Sequence, residues 1–128
     1  MALTVTRLIG VYDADGSLVG ELRYALRKVS GRGHCSLCEL THRGVRRRRA
    51  WDQLCERLQT PVDLVHRDER DEAILAATGS TVPTVVAEAG DQLVVLLGPT
   101  ELDACGTDVT EFERRLRDAA AAHGLDVA

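Results

Sequence analysis

Two short apolar runs, Arg7 to Tyr12 and Pro61 to Val65, are separated by a long stretch whose apolar residues recur at helical spacing. That separation constrains the fold more than any other feature. A link of this length containing helix is no hairpin, so the two strands are expected to run parallel through a crossover. The turn signal Asp13-Ala14-Asp15-Gly16-Ser17 ends the first run. A helix is then expected from about Leu18 to Val29, with Leu18, Leu22, Ala25, Leu26 and Val29 on one face and Ser17 as its cap. A second helix is expected from about Val45 to Leu58, its apolar face carrying Trp51, Leu54, Cys55 and Leu58. Between them, Gly33 to Gly44 has no clean period.

The rest of the chain continues the alternation. Asp68 to Thr78 reads as a short helix stopped by Gly79, and Thr81 to Val86 as an extended run containing a proline. Ala89-Gly90-Asp91 turns the chain into a return strand from Gln92 to Leu97. Pro99 to Gly106 reads as a loop. Val109 to His123 reads as the last helix, with Asp108 and Glu111 at capping-box spacing and Val109, Phe112, Leu116 and Ala119 inward. The simplest layered solution is one α/β domain over residues 1–128. It has a four-stranded mixed sheet flanked by helices, with the Cys/His segment and an extra helix inserted after the first helix.

This order resembles the thioredoxin-like superfamily, and its glutaredoxin-like members in particular. The resemblance rests on Thr81-Val82-Pro83-Thr84-Val85-Val86, the hairpin after it, the region of Gly98 and the final helix. It implies a cis peptide at Pro83, beside the place where that family keeps its active site. The family also keeps a redox Cys-x-x-Cys directly after the first strand. Here that position reads Asp15-Gly16-Ser17-Leu18-Val19-Gly20, without cysteine. Asp13 and Asp15 would disfavour a thiolate there and are explained by the turn.

Charge is divided unevenly. Residues 1–60 carry 10 Arg and 1 Lys against 6 acids, whereas residues 61–128 carry 5 Arg against 14 acids. The basic excess gathers in Arg46-Arg47-Arg48-Arg49. Four arginines at a helix start oppose the helix dipole, which points to an acidic protein partner or to the acidic half of a chain. The net charge of −4 and the absence of an aromatic stripe argue against nucleic acid. The longest apolar run, Leu93 to Leu97, is far short of a membrane span, and the first residues lack a signal-peptide layout. A soluble, cytoplasmic protein is therefore expected, with its four cysteines reduced, metal-bound or redox-active.

The concentrated chemical signal is His34-Cys35-Ser36-Leu37-Cys38-Glu39-Leu40-Thr41-His42. Cys35 and Cys38 form a C-x-x-C, and His42 lies four residues beyond Cys38, on the same face if a helix begins there. Two thiolates and an imidazole suit zinc or copper, and iron is admissible. His34 would supply a fourth ligand only if the backbone folds back. Cys55, Cys105, His66, an external ligand or a second subunit in a homodimer are the other candidates. Cys55 otherwise reads as a core thiol, Cys105 as a loop thiol, His66 as an ion-paired surface residue and His123 as a helix-end residue. No P-loop and no Ser–His–acid order is present.

The leading expectation is therefore a small metal-binding protein using Cys35, Cys38 and His42. Its rival is a thiol-disulfide oxidoreductase in which Cys35 attacks and Cys38 resolves. A third reading is a non-catalytic interaction domain docking through Arg46–Arg49.

Overall fold

The computed structural model describes residues 3–13, 36–43 and 46–127. The expected helix from Leu18 to Val29, its Ser17 cap, His34 and Cys35 lie outside the described residues. The elements, in chain order, begin with strands β1 (Leu3–Thr4) and β2 (Arg7–Val11). Helix α1 (Ser36–Thr41), the strand pair β3 (His42–Arg43) and β4 (Arg46–Arg47), and helix α2 (Arg49–Arg57) come next. Then come β5 (Val62–Val65), a 3-10 turn (Arg67–Glu69), helix α3 (Glu72–Thr78), and strands β6 (Thr84–Ala89) and β7 (Gln92–Leu97). Helices α4 (Pro99–Cys105) and α5 (Val109–Ala122) and strand β8 (Leu125–Asp126) complete it.

The central sheet is four-stranded and mixed, in the order β5-β2-β6-β7. β2 and β5 are parallel, with Leu8 opposite Val62 and Val11 opposite Val65. β6 is antiparallel to both β2 and β7. The crossover and hairpin expected from the sequence are thus present. Alternation along β2 sorts two cores. Leu8 and Tyr12 face α1, α2, α4 and α5, packing with Leu37, Leu40, Leu54 and Leu116. Ile9 and Val11 face α3 and meet Ile74 and Val86. A small parallel pair, β1 with β8, was not expected. It holds Leu3 N–H on Gly124 carbonyl at 3.1 Å and Val5 N–H on Asp126 carbonyl at 2.9 Å.

Several boundaries differ from expectation, each for a local reason. The helix expected from Val45 starts at Arg49, because Arg46–Arg47 pair antiparallel with His42–Arg43. This keeps two arginines out of a helix first turn, where the dipole disfavours them. The helix expected from Asp68 to Thr78 splits into the 3-10 turn and α3, since Arg70 is extended and Asp71, not Asp68, accepts from Ile74 N–H at 2.8 Å. The run from Thr81 joins the sheet only at Thr84, and the Val82–Pro83 peptide is cis. The two-residue turn is Gly90-Asp91, with Gly90 at φ +60°.

The stretch read as a loop, Pro99 to Gly106, is helix α4. Pro99 stands at its first turn, the Glu101 carboxylate accepts from Gly98 N–H at 3.2 Å, and Gly106 closes it at φ +59°. A proline just inside the start and a glycine just past the end were the signal available in the sequence. In α5, Asp108 caps Glu111 N–H at 3.1 Å, but the Glu111 carboxylate turns to Arg114 and Arg115 instead of back to the cap. Only half of the expected capping box forms. Among the described residues, no helix is long and apolar enough to cross a membrane.

Candidate functional site

α1 carries Cys38 and stops at Thr41, one residue before His42. Its apolar side chains seat it on the sheet: Leu37 and Leu40 are fully buried. Leu37 lies over Gly10 of β2, where an added Cβ would stand 3.2 Å from the Leu37 Cδ2 and 2.8 Å from the Leu64 Cδ2. A bare strand position thus gives this short helix room to dock. Its far end is tied down by Arg48, whose N–H donates to the Thr41 carbonyl at 2.7 Å and whose Nε donates to the Glu39 carbonyl at 2.7 Å. Those two carbonyls are helix-end acceptors that would otherwise lack partners. Arg48 is therefore spent inside the fold, and Arg47 stands 3.9 Å from Asp52.

A buried hydroxyl organises the side chains around the end of α1. Thr41 Oγ1 donates to the Cys38 carbonyl at 3.3 Å. It also lies 3.0 Å from the Tyr12 hydroxyl and 2.7 Å from His42 Nδ1. A hydroxyl has one proton and two lone pairs. Thr41 thus ties His42 Nδ1 to the Tyr12 hydroxyl and to the end of α1.

The Tyr12 ring lies between two imidazoles, with centroids 6.2 Å from His42 and 5.4 Å from His66. His66 is held by Glu69, which accepts from its N–H at 2.6 Å and lies 2.7 Å from its Nδ1. A carboxylate only accepts, so His66 carries its proton on Nδ1. The same contacts, the backbone one first, hold the Glu69 carboxyl below its usual range. Asp13, two residues beyond β2, accepts from Arg67 at 3.2 Å.

This group sits at one end of the sheet. Tyr12 comes after Val11, and Val11 pairs with Thr84, directly after Pro83. The chain order suggests that Cys35 and Cys38 lie at the opposite end from Pro83; Cys35 is outside the described residues, and the residues that follow Cys38, Thr41 and His42, meet Tyr12.

Of the expected metal donors, Cys38 and His42 are half-buried neighbours of this end, and His34 and Cys35 lie outside the described residues. His42 is the first residue of β3, beyond the helix, so helical stacking does not align it with Cys38. Among the described residues, no group of three or more His, Cys, Asp or Glu side chains is gathered to hold a metal ion. Cys55, in α2, packs half-buried against the core, and its thiol is pushed up by burial. Cys105 is buried at the end of α4, not in a loop, and its thiol donates to the Glu101 carbonyl at 3.3 Å. Burial pushes that thiol up as well. Neither has the environment of a reactive thiolate. His123 caps the end of α5 through its N–H, as a helix-end residue.

Sequence reasoning missed Thr41, whose hydroxyl meets His42, and Tyr12, whose hydroxyl meets Thr41. Compared with known families, curated proteins and solved structures, the chain matches none.

Proposed function

We propose that this chain binds a soft metal ion, zinc or copper with iron admissible, through Cys35, Cys38 and His42, with His34 as a further donor. The observation that carries the reading is the clamp on His42: Nδ1 tied to Thr41, and Thr41 tied to Tyr12. Metal-binding histidines characteristically donate their other ring N–H to an oxygen, which fixes ring orientation and strengthens the coordinating nitrogen. In such a site the proton of His42 would stand on Nδ1, towards Thr41, and Nε2 would coordinate. Thiols bind as thiolates, so capture of the ion by Cys35 and Cys38 releases two protons and is favoured by rising pH. The strand order and directions support a thioredoxin-like frame for this site, within a single domain.

The test is cobalt(II) titration of the full chain under reducing conditions, with elemental analysis of protein purified without added metal. Thiolate-to-cobalt charge-transfer absorption that disappears in Cys38→Ser and shifts in His42→Ala is expected. Protein that retains no metal and develops no such band overturns the reading.

A thiol-disulfide oxidoreductase is the second reading. It is favoured by the position of Thr41 and His42 at the sheet end where β6 begins, the end at which thioredoxin-like proteins keep their chemistry. In that case the Cys35 thiolate attacks a substrate disulfide and expels one thiolate. Cys38 then breaks the mixed disulfide, releasing the second, so two electrons pass from the dithiol to the substrate. Turnover of a disulfide substrate lost in Cys35→Ser would select this reading.

A further inference from the structure

We draw no further inference here: the strongest candidate, the apolar surface formed by exposed Leu75 of α3 and the partly buried Val65, Leu93 and Val95 on the sheet face that α3 packs against, carries none, because nothing in the structure shows what covers it.

Discussion

The Thr41 hydroxyl meets three partners, the Cys38 carbonyl, the Tyr12 hydroxyl and His42 Nδ1. Thr41→Val keeps the shape and removes all three bonds. If the chain binds metal as proposed, loss of such an outer partner should weaken that binding about 10- to 100-fold, which a cobalt competition titration would measure. Unchanged affinity in a folded variant would show that the clamp is incidental. Nothing in the sequence marked this threonine, because its role depends on Tyr12, 29 residues earlier. Glu111 gives a residue-scale prediction of another kind. Hydrogen bonds from Arg114 and then Arg115 lower its carboxyl from 4.5 to about 2. The folded state favours the ionised form, so the contribution is complete above pH 4.5 and is lost as pH falls towards about 2. Denaturation curves at pH 6 and pH 2.5 should differ less in Glu111→Gln than in the parent chain, and an equal difference would contradict the assignment.

At the scale of elements, α1 is six residues long, too short to hold itself in isolation. Its stability comes from Leu37 and Leu40 against the sheet and from Arg48 at its end. Gly10→Val would place new atoms against both Leu37 and Leu64. Overpacking of this kind costs about 1–3 kcal/mol, to be read as a lower urea midpoint. The same variant should loosen the segment bearing Cys38 and weaken any metal bound there; a stability loss without that loosening would mean α1 does not depend on the seat. What was legible at this scale came from periodicity. α2 and α5 show their apolar faces plainly, Trp51 and Leu54 in one, Phe112 and Leu116 in the other. What was illegible came from competition between neighbours. Arg46 and Arg47 prefer pairing with His42 and Arg43 to a place in a helix. α4 was hidden because its Pro99 and Gly106 also spell a loop.

At the scale of the molecule, the sheet was readable because the connections dictate strand direction. The meeting of Tyr12 with His42 and His66 was not, since it joins three separate elements. The uneven charge resolves partly within the fold: Arg57 from the basic half holds Glu113 of the acidic half at 2.9 Å, and Arg7 holds Asp63 and Glu88. These pairs are half-exposed and contribute little each. The core between sheet and helices carries the stability. Leu116, fully buried in α5, should cost about 2–5 kcal/mol when changed to Ala, measured by chemical denaturation. A loss below that range would mean the helical layer relaxes into the gap. β1 and β8 lie side by side in the same direction, joined by bonds at Leu3 and Val5. Tension drawn through the two chain ends would therefore load both bonds in shear at once, instead of peeling them apart in turn. A molecule stretched end to end should resist until this clasp slips as a unit.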